Sequence, residues 1–175
     1  MRDLSALLLR LVTGSLLAGH GAQKLFGWFG GPGMEGTSGF MESLGLRPGR
    51  TWAAIGGASE FGGGTLTALG FLNPLGPLGI IAAMSMASVT AHRGKPIWVT
   101  EGGAELPVTN MAVAAALMLN GPGRYSLDRA LGLRLPRWLA PLALLVIAAT
   151  VYRYGMQAEP PQQEESREGL AGKEE

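Results

Sequence analysis

The sequence predicts an all-α membrane protein, a bundle of four transmembrane helices with one additional transmembrane helix near the C-terminus. Of its 175 residues, 47% are hydrophobic and only 15% are charged, whereas soluble domains carry about 25% charged residues. Much of this charge follows Met156, so the preceding chain is still more apolar. No stretch alternates between polar and apolar residues as the strands of a membrane barrel do. We therefore expect helices surrounded by lipid.

The first apolar segment extends from Leu4 to about Gly27. At a rise of about 1.5 Å per residue, it is long enough to cross a hydrocarbon layer about 30 Å thick. A signal peptide over Met1–Ala22 is the alternative, because small residues recur near its end. Since Arg10 would interrupt its apolar core, we expect a helix of the mature protein.

The second and third apolar segments are Trp52–Leu72 and Leu75–Ala91. So few residues join them that they must form an antiparallel hairpin. Before them, the glycine-rich connection Gly30–Arg50 is predicted to hold a short interfacial helix capped by Thr37. Small residues spaced four apart in the second segment allow neighbouring helices to approach closely.

The fourth segment, Pro107–Asn120, is short for a span, and its length also fits a re-entrant helix. The fifth, Trp138–Tyr154, has aromatic residues at both ends, as expected at the two membrane interfaces. Residues 156–175 are rich in Glu, Gln, Pro and Gly, which predicts a disordered acidic tail. The predicted organisation is a membrane domain over 1–131, a fifth span over 132–155 and this tail.

The composition excludes several kinds of chemistry. The absence of cysteine rules out disulfides, thiolate catalysis and cysteine-ligated zinc or iron–sulfur centres. A net charge of +1 without a basic run argues against a nucleic-acid partner. The sequence has no nucleotide-binding loop, nucleophile elbow or covalent haem motif. Electrons for any redox reaction must therefore come from a partner protein or a soluble substrate.

Ionisable residues within the apolar segments are the candidates for function, because a charge in the middle of a membrane costs roughly 2.5–3.5 kcal/mol on insertion scales. If successive helices alternate in direction, six polar residues fall toward one face: His20, Lys24, Glu60, His92, Glu105 and Asn110. Structural roles remain the alternative for each, above all a Lys24–Glu60 ion pair. Arg10 falls toward the opposite face, where an ion pair with Asp128 would satisfy both charges.

A group of His, Glu and Lys side chains beside apolar helices suits hydrogen bonding to quinone carbonyls and proton exchange. The same group suits a small anion or another polar solute. A metal site is disfavoured, because short-spaced ligand pairs such as H-x-x-x-H and E-x-x-H are absent. We expect neither a metal nor a covalently bound cofactor, and a quinone is the candidate ligand.

Parts of the sequence resemble the DoxX family of small integral membrane proteins. The likeness is carried by LLRLVTGSLLAGHGAQKLFG (Leu8–Gly27), IGGASEFGGGTLTALGFLNPLG (Ile55–Gly76), AHRGKPIWVTEGGAELPVTN (Ala91–Asn110) and GPGRYSLDRAL (Gly121–Leu131). The resemblance implies a bundle of four transmembrane helices in a prokaryotic plasma membrane, and it supports Pro107–Asn120 as a true span. Some relatives serve quinone-reducing thiosulfate oxidation or a membrane oxidoreductase complex, and most have no assigned reaction. The resemblance therefore implies no established catalytic residue.

These observations favour a membrane subunit of an oxidoreductase system that holds a quinone or a small redox partner. Whether the chain is itself an enzyme stays open. The rival hypothesis is a non-catalytic scaffold or small-solute carrier whose buried charges only join helices, and a third is an assembly factor that binds through the acidic tail. The expected partners are the lipid bilayer, a redox protein and, in an oligomer, further copies of the chain. The denser set of arginines near the start of the first segment and in Gly121–Arg137 favours an internal N-terminus.

Overall fold

The structure, a computed structural model, describes residues 2–158, and every regular element in this range is helical. The α-helices are α1 (Arg2–Phe26), α2 (Gly33–Ser43), α3 (Gly49–Leu69), α4 (Leu75–Thr90), α5 (Glu105–Asn120), α6 (Leu127–Leu131) and α7 (Leu139–Thr150). Short 3₁₀ turns lie at Trp28–Gly30 and Val99–Glu101, and a π-helical turn over Val151–Gly155 continues α7. The predicted all-α class is confirmed for these residues. The predicted acidic tail lies, from residue 159 onward, outside the described residues.

The five predicted apolar segments correspond to α1, α3, α4, α5 and α7. The predicted cap of the short interfacial helix is wrong, because α2 begins at Gly33, directly after Pro32. Thr37 therefore lies one turn inside the helix, where it is buried. Its hydroxyl donates to the carbonyl of Gly33 at 2.7 Å and lies 3.3 Å from the carbonyl of Lys24. Thr37 thus ties α2 to the end of α1.

Helix α3 lies at the centre of the fold and packs against α1, α2 and α4. Helix α4 also packs against α5 and α7, and α1 contacts α5. The residue pairing along the contacts shows that α1 and α4 both run antiparallel to α3, which confirms the predicted hairpin. The long helices therefore end alternately at two opposite ends of the bundle.

Glycines bring the backbones of the three central helices into direct contact. A Cβ atom at Gly14 of α1 would lie 2.6 Å from the carbonyl oxygen of Gly64 in α3, and one at Gly64 would overlap the backbone of Ala18. On another side of α3, a Cβ at Gly63 would lie 3.0 Å from the backbone nitrogen of Ile80 in α4. Close approach at small residues is a typical way for helices to associate in lipid. This close approach sets the distance between the helix backbones, and so decides which side chains of α1 and α4 can contact those of α3.

Among the described residues, α1 is the one helix that is both long and apolar enough to cross a membrane. Helix α4 and the segment Leu139–Gly155 are apolar but shorter. Large apolar side chains cover the outside of the bundle, and those of α1 and α7 include Leu4, Leu8, Leu9, Leu11, Val12, Leu16, Leu142, Leu144, Leu145 and Val146. The interior holds Arg10, Glu60 and Thr67, which are all buried. This arrangement exposes apolar surface and buries polar groups.

We predict that Gly64→Ala destabilises the protein and that Gly62→Ala does not. A methyl group at residue 64 meets the backbone of α1 and must push the helices apart, which costs roughly 1–3 kcal/mol. A methyl group at residue 62 meets no atom within 4 Å, and alanine favours the helix more than glycine does. Thermal unfolding in detergent measures both effects. Equal melting temperatures of the two variants would contradict the proposed backbone contact.

Candidate functional site

The two ends of the bundle differ in their charged groups. The pocket end comprises the C-terminal turns of α1 and α4, the whole of α2, the part of α3 from Gly49 to Glu60 and the π-turn after α7. The arginine end comprises the start of α1, the ends of α3 and α5, the short helix α6 and the start of α7. Hydrogen bonds join the elements at each end, as the following contacts show.

Lys24 and Glu60 form an ion pair at the pocket end. Lys24 Nζ lies 2.5 Å from Glu60 Oε1, and the pair is the one ion pair closer than 4.0 Å in the described part of the chain. Only 5% of the Glu60 side chain is exposed, against 29% for Lys24. The second oxygen, Glu60 Oε2, is buried without a hydrogen-bond partner. The Lys24–Glu60 ion pair, which the sequence suggested as a structural role for these residues, is therefore formed, but it leaves one carboxylate oxygen without a hydrogen-bond partner.

A cavity of about 260 Å³ adjoins this ion pair, between α2, α3, α4 and α7. It is lined by Lys24, Phe40, Met41, Leu44, Leu46, Trp52, Ile55, Gly56, Ser59, Glu60, Ala82, Ala83, Met86, Ala87, Thr90, Ala91, Val146, Ile147, Thr150 and Val151. Most of these residues are apolar, and the two charged groups are the pair itself. The arrangement fits an apolar ring that presents one polar edge to Lys24 and Glu60.

The other four residues of the predicted cluster do not line this cavity. His20 is exposed on the surface of α1. His92 Nδ1 lies 2.6 Å from the carbonyl oxygen of Gly102, so this hydrogen bond joins two parts of the connection after α4. The carboxylate of Glu105 accepts a hydrogen bond of 2.9 Å from the amide of Val99 in the same connection.

Asn110 also lies away from the cavity. Its amide nitrogen is 3.9 Å from the sulfur of Met84, which places it between α5 and α4. The structure therefore brings two of the six residues, Lys24 and Glu60, together at the cavity. The described residues contain no group of three or more His, Asp or Glu side chains arranged to hold a metal ion.

One wall of the cavity was not predicted from the sequence. It is formed by the end of α7 and the start of its π-turn, from Val146 to Val151. Arg93, just beyond α4, donates to the carbonyls of Gly155 at 2.5 Å and Ala158 at 3.3 Å. A cation at this position complements the unpaired carbonyls at a helix C-terminus. The ring centroids of Trp52 and Tyr154 are 5.1 Å apart. These contacts join residues about 60 to 100 positions apart, so local sequence pattern holds no signal for them.

At the arginine end, the predicted direct ion pair between Arg10 and Asp128 is wrong, because their charged atoms are not within 4.0 Å of each other. The Arg10 guanidinium instead donates to carbonyls of the loop after α5. It contacts Pro122 O and lies 2.7 Å from Tyr125 O. It also lies 3.5 Å from Ala68 O, near the end of α3. Carbonyls at helix ends and in loops lack helical partners, and Arg10 satisfies several of them.

Asp128 binds backbone amides rather than Arg10. Its two oxygens accept hydrogen bonds of 2.8 Å from the amides of Leu72 and Asn73, between α3 and α4. Gly70 lies beside Arg10, its carbonyl accepts a hydrogen bond from the Asp128 amide at 3.1 Å, and it adopts a left-handed conformation with φ of 61°. A Cβ there would lie 2.5 Å from Arg10 Nη1, so both its conformation and its lack of a side chain are needed.

Residues 5–93 match the sequence model of the DoxX family. The chain belongs to the DoxX family. DoxX proteins are membrane proteins, and this chain is accordingly a membrane protein. No curated protein matches the chain, and no solved structure does. The matched stretch contains both Lys24 and Glu60, whereas the α7 wall of the cavity follows it.

We predict that Lys24→Met lowers stability more than Glu60→Gln. Without Lys24, the Glu60 carboxylate is buried and unpaired, and breaking a buried pair in this way costs roughly 3–5 kcal/mol. Without the Glu60 charge, the partly exposed Lys24 amine can extend to the surface, so the loss is smaller. The double variant Lys24→Met/Glu60→Gln removes both charges and should regain most of the loss. Thermal unfolding in detergent compares the three variants, and the reverse order for the single variants would refute this account.

Proposed function

We propose that this DoxX protein is a multi-pass membrane subunit associated with an oxidoreductase system, and that it binds a quinone or a similar amphipathic ring. The observation that carries the proposal is an apolar cavity of about 260 Å³ with a buried, incompletely satisfied Lys24–Glu60 pair in its wall.

The outer surface of the bundle supports a multi-pass topology. Its exposed leucines and valines would be costly in water, and they extend over α7 as well as α1. The 21 residues of α3 correspond to about 32 Å and the 16 of α4 or α5 to about 24 Å. A hydrocarbon layer about 30 Å thick adjusts to the shorter helices by local thinning. This surface supports the proposal of four crossings by α1, α3, α4 and α5, with α7 as a fifth.

The size and lining of the cavity support a ring-shaped ligand. A cavity of about 150 Å³ is enough to hold benzene, so about 260 Å³ accommodates a substituted ring. Lys24 Nζ gives one hydrogen bond to Glu60 and, as an ammonium, retains donors for a ligand carbonyl. Glu60 lines the cavity and its Oε2 has no hydrogen-bond partner, so a rotation of the carboxylate would offer an acceptor to a ligand hydroxyl. The pair thus suits both the carbonyl and the hydroxyl oxygens of a quinone couple.

Because neither histidine lines the cavity, proton exchange with the ligand falls to Glu60 and Lys24. A carboxylate within hydrogen-bond reach of a ligand oxygen is a suitable general base. The chain contains no cysteine, and electrons would come from a redox partner. The chain's own contribution is to bind and orient the ring and to handle its protons.

The rival function, a non-catalytic scaffold or small-solute carrier, is favoured by one observation. The Lys24–Glu60 pair is closed at 2.5 Å and lies where Gly57 allows close contact between α3 and Leu25 of α1. In that case the pair joins α1 to α3, and the cavity has no specific occupant. The two functions differ in whether a ring bound in the cavity interacts with Glu60.

We predict that a short-chain quinone quenches the fluorescence of Trp52, the one tryptophan that lines the cavity. A variant with Trp28, Trp98 and Trp138 replaced by phenylalanine isolates this signal in lipid nanodiscs. Glu60→Gln should weaken binding about tenfold or more, because a hydrogen bond to a charged group contributes about 1.5–3 kcal/mol. Glu105→Gln is the matched control, since Glu105 lies outside the cavity.

Filling the cavity gives a second readout of the same site. Ile147→Phe on α7 places a larger side chain in the cavity wall and should abolish quenching, whereas Leu145→Phe on the exposed face of α7 should not. Both substitutions are made in the variant that keeps Trp52 as its single tryptophan. Unquenched Trp52 at saturating quinone, or equal binding by wild type and Glu60→Gln, would favour the scaffold instead.

A further inference from the structure

The arginine end carries a positive charge that its own carboxylates do not neutralise. Its exposed arginines are Arg2, Arg124, Arg129, Arg134 and Arg137. The two nearby carboxylates accept hydrogen bonds from backbone amides instead. Asp3 Oδ1 accepts one from the amide of Arg124 at 2.9 Å, and Asp128 accepts two from the connection between α3 and α4. Within residues 2–158, no carboxylate lies within 4.0 Å of any of these five guanidinium groups.

Three of these arginines line two neighbouring cavities. One cavity, of about 560 Å³, is lined by Arg129 and Arg134 together with Asn73 and the buried Asp128. The other, of about 470 Å³, is lined by Arg124 and Arg129 together with Asp3. Arg129 is shared by both. Guanidinium groups bind phosphate oxygens in a bidentate manner, so two arginines that line the same cavity fit a phosphate group.

Exposed aromatic and apolar side chains surround these arginines. Tyr125, Leu131 and Leu133 are exposed beside the cavities, and Trp138 is exposed at the start of α7. Tyrosine and tryptophan favour the membrane–water interface. In this membrane protein, we expect them to hold the guanidinium groups at headgroup depth, with acyl chains next to the apolar residues. A phosphate that arrives with acyl chains therefore matches the surface better than free phosphate does.

We infer that the arginine end binds the headgroup phosphate of an anionic phospholipid, with Arg124, Arg129 and Arg134 as its ligands. The uncompensated positive charge selects a headgroup of net negative charge over a zwitterionic one. The excess of arginines at this end also favours its orientation toward the cytoplasm. This site is at the end of the bundle opposite the cavity beside Glu60, and it does not depend on any ligand there.

The test measures how a fluorescent phosphatidylglycerol and a fluorescent phosphatidylcholine of equal chain length bind to the purified full chain in neutral detergent. Wild type should prefer phosphatidylglycerol. Arg129→Gln/Arg134→Gln should lower its affinity about 30-fold, which corresponds to about 1 kcal/mol for each arginine. Arg47→Gln/Arg50→Gln removes the same charge from exposed residues at the pocket end and should have little effect.

Three results would overturn the inference. Equal affinity of wild type for the two lipids would show that charge does not select the headgroup. An equal loss in the two double variants would show that only total charge matters. Complete displacement of phosphatidylglycerol by millimolar inorganic phosphate would identify a free-phosphate site. Unchanged elution and melting temperature of the double variants confirm that each remains folded.

Discussion

The contact between the backbones of α1 and α3 is the constraint on which the other features depend. Gly14, Gly21 and Gly64 leave no room for side chains, so the two helices meet along most of their length. This contact fixes the two ends of α1 against α3. At one end it brings Lys24 within 2.5 Å of Glu60, and at the other it brings Arg10 to the last turn of α3. Both charged sites therefore follow from one line of glycine contacts.

The two ends accommodate buried charge in different ways. Arg10 and Asp128 mainly bind backbone groups, and together they close the turns after α3 and α5, although Arg10 Nε is buried without a partner. Glu60 depends on a single side-chain partner and keeps one oxygen unpaired beside a cavity. A buried charge that only stabilises the fold is expected to be surrounded by protein groups. A buried charge that contacts a ligand needs a cavity beside it. This difference is why the pocket end is the better candidate for a ligand that exchanges protons with a buried charge.

The cavity beside Lys24 and Glu60 is completed by residues that follow the family-matched stretch, which ends at residue 93. Lys24 and Glu60 belong to the matched stretch, but α7 and its π-turn form one side of the cavity. Arg93 holds that turn through two carbonyls, and Gly155 lets it approach α4 so closely that a Cβ would lie 2.6 Å from Val89. The shape of the cavity, and so the ligand that it admits, depends on both parts of the chain.

The positions of the five long helices, the hairpin of α3 and α4 and the Lys24–Glu60 alternative all follow from sequence. Apolar length and helix breakers are local properties, and short connections leave few arrangements of neighbouring spans. The backbone partners of Arg10 and Asp128, the positions of His92 and Glu105 outside the cavity, and the α7 wall do not follow from sequence. Each depends on which backbone groups are left unpaired where distant loops meet, and that is settled only when the helices pack at a particular distance and rotation.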